Sequence, residues 1–171
     1  MPEVTRVPIE ADGPADFGDW VSSRGASLQR FAYLVSGSAT DAPDLVQEAL
    51  IGALPRWHSL AARGTAEAYV RRSIVNASVS RWRSTRRLVT MADPVGPSVD
   101  DLAPRVDDAD QAWRLLIELP PNQRAAVVLR FYEDLSFAQI AVILDCSEST
   151  ARSHVHRAIT ALRNRLEEEP S

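Results

Sequence analysis

Apolar and polar positions alternate with a helical period along most of the chain. In Asp16–Val35, apolar residues recur at three- and four-residue spacings, which predicts a helix followed by a turn at Ser36–Thr40. The apolar face of that helix would comprise Phe17, Trp20, Leu28, Phe31, Ala32 and Val35. Asp41 is placed to cap a second helix, with Leu45, Ala49 and Ile51 facing inward. Pro55 is expected to stop or kink this helix, because proline lacks the amide hydrogen.

A third helix is predicted from Thr65 to Val89, and it has two apolar sectors. One sector comprises Val70, Ile74 and Ala77, and the other comprises Val75, Val79 and Trp82. The composition then changes in Met91–Asp110, which holds three prolines and six aspartates against one arginine. This segment has neither a helical nor a strand period, so we interpret it as a flexible acidic linker.

A second helical block follows, interrupted at "LPPNQ" and at "EDLS". Within it, Ser136 and Gln139 have the spacing of a capping box, and the helix that they begin is expected to end near Leu144. Ser147 is placed to cap the last helix. The apolar stripe of that helix comprises Ala151, Val155, Ala158, Ile159, Leu162 and Leu166. Two helices joined by a short turn predict a helix-turn-helix.

Neither helical block contains the alternating pattern of a strand, so the predicted fold is all-α. We expect two small helical domains joined by the acidic linker. The predicted boundaries are a flexible tail at 1–15, a first domain at 16–90, the linker at 91–110 and a helix-turn-helix domain at 111–168.

Composition excludes several classes of function. The single Cys146 and three histidines make a metal site improbable, and no cofactor is expected. No nucleophile–base pair or glycine-rich phosphate loop points to an enzyme. The N-terminal residues lack an apolar signal core, and no apolar run reaches the roughly 20 residues of a membrane span. These features predict a cytoplasmic protein without a membrane segment.

Positive charge is concentrated in Tyr69–Arg87, although the chain has a formal net charge of -4. This stretch contains six arginines and no carboxylate, so the usual i,i+4 acidic partners are missing from it. On a helix, one polar strip would comprise Arg72, Asn76, Ser80, Arg83 and Arg87. A solvated helix face is one interpretation. A surface for an external polyanion is the other, and Trp82 favours unpaired nucleic-acid bases, which stack on aromatic rings.

The last helix carries a second basic face. It comprises Arg152, Ser153, His156, Arg157, Thr160 and Arg163, and no carboxylate occurs from Ser149 to Leu166. An ordinary helical hairpin would also fit the turn spacing. The acid-free outer face favours a helix that reads the major groove of DNA.

The order of three segments resembles a known family. "DAPDLVQEAL", "AEAYVRRSIVNASVSRWRSTRR" and "LPPNQRAAVVLRFYEDLSFAQIAVILDCSESTARSHVHRAITALR" resemble extracytoplasmic-function sigma factors of bacterial RNA polymerase, in particular the actinobacterial SigE-like group. The resemblance covers about Asp16 to Glu168. It implies a sigma initiation factor that binds core polymerase, recognises a bipartite promoter and melts the DNA without being an enzyme.

The resemblance also implies roles for particular residues. The residues implied to dock on the β′ clamp helices of the polymerase are Asp44, Gln47 and Glu48. The residues implied to bind the minus-ten promoter element are Arg72, Asn76, Trp82, Arg83, Arg86 and Arg87. The residues implied to bind the minus-thirty-five element are Ser149, Arg152, Ser153, His156 and Arg157. The segment around Leu129–Leu135 would meet the β flap. The resemblance leaves room for an anti-sigma factor as a further partner.

Two other functions remain open from the sequence. A stand-alone helix-turn-helix regulator would use only the C-terminal block and would leave Tyr69–Arg87 unexplained. A degenerate sigma-like interaction protein is supported by Pro43 and Pro55, which depart from the family's pattern in the docking helix. Asp145 also departs from the pattern, because glycine is usual at that turn. Aspartate tolerates the left-handed conformation better than most residues do.

Overall fold

The computed structural model describes residues 16–91 and 107–168, and every regular element within them is helical. The first group comprises α1 (Phe17–Ser36), α2 (Asp41–Ala53), α3 (Trp57–Arg63) and α4 (Ala66–Met91). The second comprises α5 (Asp107–Ile117), α6 (Pro121–Val127), α7 (Phe137–Leu144) and α8 (Glu148–Glu168). The all-α prediction is confirmed. The predicted tail 1–15 and most of the predicted linker, 92–106, lie outside the described residues.

The first group packs around the apolar faces of α1, α2 and α4. Its largest fully buried side chains are Leu28, Phe31, Val35, Leu45, Val70, Ile74 and Val75. α1 ends at Gly37, whose φ of 70° is left-handed. A Cβ at this position would lie 3.0 Å from the Ile117 side chain, so glycine is needed both for the turn and for the close approach of α5.

Two details of α2 differ from the sequence-based expectation. Asp41 lies in the first turn of α2, not at its cap, and its amide donates to the Ser38 hydroxyl. The prediction that Ile51 faces inward is wrong, because the residue is 64% exposed. The helix does stop before Pro55, as predicted, and a 3-10 turn at Leu54–Arg56 then leads into α3, which the sequence pattern did not indicate.

The second group also differs in three places. α5 begins at Asp107, so the last four residues of the predicted linker are helical. α6 continues as a π-helical turn at Val128–Tyr132, where the Glu133 amide donates to the Val128 carbonyl. The predicted apolar stripe of α8 holds at Ala151, Val155 and Ala158, which are buried. The prediction that Leu166 belongs to this buried stripe is wrong, because Leu166 is 52% exposed.

The two groups of helices share one apolar core. Arg124 of α6 is buried and donates to the Val35 carbonyl of α1 at 3.1 Å, as well as to two carbonyls of its own group. Tyr33 stacks on Trp113 with ring centroids 4.5 Å apart. Arg71 of α4 forms an ion pair with Glu133, which follows the π-helical turn. The two groups therefore meet through buried polar contacts as well as apolar packing.

Candidate nucleic-acid and polymerase interface

α4 presents the predicted basic strip along its outer side. The residues that anchor the helix, Val70, Ile74 and Val75, are buried, while Asn76, Arg83 and Arg87 are exposed. At about 1.5 Å per residue, the strip from Arg72 to Arg87 extends roughly 22 Å. The exposed face is thus long enough to follow several nucleotides of a nucleic-acid strand.

The aromatic residue of this surface is held beside a cation. Trp82 is 37% exposed, and the Arg86 guanidinium lies over its ring at 4.9 Å from the ring centroid. Such cation–π contacts leave part of the indole surface accessible. The arrangement places an indole ring and a positive charge together, which is the pairing used to stack and hold unpaired bases.

The expectation that this stretch lacks acidic partners is wrong for three of its arginines. Arg71 pairs with Glu67 and Glu133, and Arg81 lies 3.5 Å from Asp41 and 3.4 Å from Glu48. Glu67 is four positions before Arg71 on the same helix, just outside the stretch, whereas Glu133, Asp41 and Glu48 lie elsewhere in the chain and a pattern confined to one helix could not reveal them.

Arg72 is the third arginine with an acidic partner. It lies 2.8 Å from Asp145, the residue that ends α7. Among the described residues, Arg83 and Arg87 make no ion pair. The C-terminal half of the strip therefore carries the charge that remains available to an external anion.

The helix-turn-helix forms as predicted. Ser136 and Gln139 make the reciprocal capping box, with the Gln139 amide 3.2 Å from the Ser136 hydroxyl. Asp145 ends α7 in the left-handed conformation, with φ 53° and ψ 51°. Ser147 accepts the Thr150 amide at 3.1 Å and so caps α8. These caps fix where both helices begin and set the orientation of the outer face of α8.

The five residues predicted for the minus-thirty-five element lie on that face, and all are exposed: Ser149, Arg152, Ser153, His156 and Arg157. Three of them, Ser149, Arg152 and Ser153, have side-chain contacts within the chain. The Ser153 hydroxyl donates to the Ser149 carbonyl, and the Arg152 guanidinium lies 3.4 Å from Glu148 and 4.4 Å from the centroid of the Phe137 ring. Phe137 was missed by sequence reasoning because it is the first residue of the preceding helix.

The residues predicted to dock polymerase, Asp44, Gln47 and Glu48, are exposed on α2. Gln47 also borders a shallow cleft of about 240 Å³. The cleft is lined by Phe17, Gln29, Pro43, Val46, Gln47, Leu50, Ile51 and Leu54. Ile51 and Leu54 are both more than half exposed, so the residues predicted to dock polymerase adjoin an uncovered apolar surface.

Burial shifts the pKa of three groups near these surfaces. Desolvation raises the pKa of the Cys146 thiol, and the negative charge of Asp145 adds to this effect. Desolvation lowers the pKa of His154, and the positive charge of Arg157 lowers it further. Burial also lowers the pKa of Arg124. Cys146 is therefore a poor thiolate, and it packs against the core as a small side chain in the turn.

Two further classes of site are absent from the described residues. Within 16–91 and 107–168, no three His, Cys, Asp or Glu side chains are grouped as ligands for a metal ion. No helix in those ranges is both long and apolar enough to cross a membrane.

Comparisons with known proteins agree with the two helical groups. Residues 20–88 match the family described as sigma-70 region 2, and residues 109–162 match sigma-70 region 4. The RNA polymerase sigma-E factor of Streptomyces avermitilis is 36% identical over 154 residues, which cover 89% of this chain and 86% of that protein. The ECF RNA polymerase sigma factor SigM of Mycobacterium tuberculosis is 32% identical over 136 residues, covering 77% of this chain and 67% of the relative.

Solved structures share the fold. The sigma factor RpoE, in complex with the anti-sigma factor NepR from Bartonella quintana, has a TM-score of 0.74 at 26% identity, covering 91% of this chain and 99% of that one. CnrH, in complex with the cytosolic domain of CnrY, has a TM-score of 0.60 at 21% identity, covering 90% of this chain and 89% of that one, and supports the fold alone. The chain therefore belongs to the RNA polymerase sigma factors of the sigma-70 family, in the extracytoplasmic-function group, and is a transcription initiation factor.

Proposed function

We propose that this sigma factor uses three separate surfaces for its work in the cytoplasm. α2 docks on core polymerase, α4 captures the opened minus-ten element, and α8 reads the minus-thirty-five element. The observation that carries the proposal is the pair of exposed basic faces on α4 and α8, each backed by a buried apolar face. Two basic faces on separate helical groups fit a promoter with two recognition elements better than a promoter with only one.

The minus-ten surface is assigned to Arg72, Asn76, Trp82, Arg83, Arg86 and Arg87. Opening DNA costs the stacking and pairing energy of the melted bases, and no nucleotide hydrolysis is available to supply it. Bases that leave the duplex can stack on Trp82 and bond to Asn76, and both side chains are accessible. Arg83 and Arg87 supply positive charge for the backbone of the captured strand.

The minus-thirty-five surface is assigned to Ser149, Arg152, Ser153, His156 and Arg157. Arginine can donate two parallel hydrogen bonds to a guanine edge in the major groove, so Arg152 suits base reading. Arg157 suits a phosphate contact. Arg152→Ala should therefore relax preference at one base pair, whereas Arg157→Ala should weaken binding evenly and reduce the salt dependence.

The polymerase-docking surface is assigned to Asp44, Gln47 and Glu48, together with the adjoining exposed Ile51 and Leu54. Acidic and amide groups beside an apolar patch fit a partner helix that offers both cations and apolar side chains. The segment around Leu129–Leu135, where Phe131 and Tyr132 are exposed, is assigned to the β flap. An anti-sigma factor is a further proposed partner, supported by the fold shared with RpoE, which was solved bound to one.

The experiment combines purified chain with core RNA polymerase and maps unpaired thymines with permanganate on a promoter library. Wild type should open a bipartite promoter. The double variant Asn76→Ala/Arg83→Ala should bind core normally but open the promoter at least about tenfold less, because one lost base contact is worth roughly 1–3 kcal/mol. Arg63→Ala, an exposed arginine on α3, is the matched control and should open like wild type.

Three outcomes would contradict all or part of the proposal. Duplex binding through α8 with no opening in the presence of core would favour a stand-alone helix-turn-helix regulator. Binding of another protein with neither core binding nor opening would favour a sigma-like interaction protein. Normal opening by the double variant would remove α4 as the melting surface while leaving sigma function intact.

A further inference from the structure

Phe137 lies beneath two arginines. Its ring, at the start of α7, has the guanidinium carbon of Arg130 at 4.8 Å and that of Arg152 at 4.4 Å from the centroid. Arg130 belongs to the π-helical turn that follows α6, and Arg152 belongs to the outer face of α8. One aromatic ring thus connects a structural arginine with the arginine assigned to base reading.

The position of the ring is fixed by backbone contacts on both sides. The capping box sets the start of α7, with the Ser136 amide 2.9 Å from the Gln139 side-chain oxygen. Immediately before it, the Leu135 carbonyl accepts a hydrogen bond from Arg130 at 2.9 Å. The ring is also half-buried against the core. Phe137 is therefore a rigid platform, whereas Arg152 is a long side chain with several rotatable bonds.

A stacked arginine keeps its hydrogen-bonding capacity. The cation–π contact uses the face of the guanidinium group, while its N–H donors point outward in the plane of the group. The Arg152 side chain is 60% exposed, so its edge is accessible while its face covers Phe137. Glu148, at 3.4 Å, restrains the same group from the first turn of α8. Restraint before binding lowers the entropy lost when a planar acceptor is engaged.

We propose that Phe137 is a positioning residue that holds the Arg152 guanidinium for reading one base pair, an inference that rests on the proposed function of α8. Phe137 itself would not touch DNA. Its ring would set the plane and direction of the guanidinium group and so determine how strongly Arg152 prefers a base with two acceptors on its major-groove edge.

The test is a selection of random-sequence duplexes by the full chain assembled with core polymerase, followed by sequencing of the bound fraction. The variants are Phe137→Leu, Phe137→Tyr, Arg152→Ala and the double variant Phe137→Leu/Arg152→Ala. Leucine preserves apolar volume but has no aromatic face, and tyrosine preserves the face. Phe31→Leu is the matched control, because the Arg71 guanidinium lies over the Phe31 ring at 5.4 Å from its centroid, and Phe31 belongs to none of the proposed surfaces.

We expect Arg152→Ala to abolish base preference at one position of the minus-thirty-five element. Phe137→Leu should reduce preference at that same position about tenfold and leave the other positions unchanged, because the cost falls on one side chain. Phe137→Tyr should retain the preference, and the double variant should resemble Arg152→Ala. Phe31→Leu should select the wild-type sequence.

Five results would overturn the inference, three of them with the Phe137 variants. Phe137→Leu could keep the preference that Arg152→Ala loses, or it could weaken all positions evenly, as a purely structural residue would. Phe137→Tyr, which keeps the aromatic face, could lose the base preference as Phe137→Leu does. If wild type with core polymerase selects no sequence at all, the proposed function of α8 falls and this inference with it. Selection by wild type with no effect of Arg152→Ala would instead remove only the assignment of Arg152 and the role built on it.

Discussion

The Glu133 carboxylate lies 2.6 Å from a guanidinium nitrogen of Arg71, although the two residues are 62 positions apart in the chain. Their side chains are only 14% and 7% exposed. The contact joins α4, which carries the proposed minus-ten surface, to the segment before the helix-turn-helix. A buried ion pair between the two groups of helices holds together the two surfaces that are proposed to act on separate promoter elements.

Removing this charge should loosen the contact between the groups. Glu133→Gln leaves Arg71 with Glu67 as its remaining acidic partner, so we expect a loss of about 2 kcal/mol in the free energy of unfolding, measured by urea denaturation. Glu148→Gln is the matched control. It removes an exposed carboxylate that pairs with Arg152, and it should cost less than about 1 kcal/mol. Equal losses in the two variants would contradict a special role for the buried pair.

The same packing predicts a large movement on promoter DNA. α4 and the α7–α8 turn touch through Arg72 and Asp145 at 2.8 Å, whereas the proposed elements are about 25 base pairs apart at roughly 3.4 Å per pair. Both elements can be held at once only if the two groups of helices separate.

Fluorescence transfer between dyes at Ser22→Cys and Asn164→Cys, in a Cys146→Ala background, measures that separation. Both labelled positions are exposed. We expect high transfer in the free chain and low transfer in the complex with core polymerase and promoter. High transfer in both states would show that the groups stay together and would exclude simultaneous reading of the two elements. Labels at Ser22→Cys and Ser59→Cys, within the first group, should give the same transfer in both states.

The all-helical fold was predictable because its signals are local. The apolar spacing of Leu28, Phe31, Val35 and Ile74 predicted buried faces, and each of these residues is buried. The caps at Ser136 and Ser147 depend on residues three positions away, so a sequence pattern contains them. Ile51 was misplaced because it lies two positions, about 200°, from Ala49 around the helix, and Ala53 occupies the buried side of the last turn instead.

The partners of the candidate site could not be predicted in the same way. Arg72 and Asp145 meet only because α7 packs on α4, and Phe137 meets Arg152 only across the helix-turn-helix. Such contacts depend on the relative placement of helices, which helical periodicity does not encode. The exposure of Asn76, Arg83 and Arg157 was predictable, because a polar residue opposite a buried stripe faces solvent.

Asp145 should show the cost of a left-handed turn. Its φ of 53° and ψ of 51° are tolerated by glycine, asparagine and aspartate, but other side chains pay roughly 1–2 kcal/mol. Asp145→Ala should therefore be less stable than Asp145→Asn by about 1 kcal/mol, as measured by urea denaturation. Asp145→Asn also removes the exposed pair with Arg72, which contributes less than about 1 kcal/mol. Equal stability of the alanine and asparagine variants would argue against left-handed strain at this turn.

His154 should make stability depend on pH. Its Nδ1 atom is buried and has no hydrogen-bond partner among the described residues, and desolvation together with Arg157 lowers its pKa in the folded protein. The unfolded chain, with a histidine pKa near 6.5, therefore binds more protons than the folded chain just below that pH. The free energy of unfolding should be unaffected by His154 at pH 7.5 and should fall as pH drops through about 6.5, levelling off below the folded pKa.

Urea denaturation at pH 7.5, 6.5 and 5.5 measures this dependence. His154→Gln cannot take up the proton, so this variant should lose less stability than wild type between pH 7.5 and 5.5. Because the glutamine side chain is neutral throughout, the difference between the two proteins isolates the histidine from the carboxylates that titrate at lower pH. Parallel losses in wild type and His154→Gln would contradict a lowered pKa, and a smaller loss in wild type would reverse its sign.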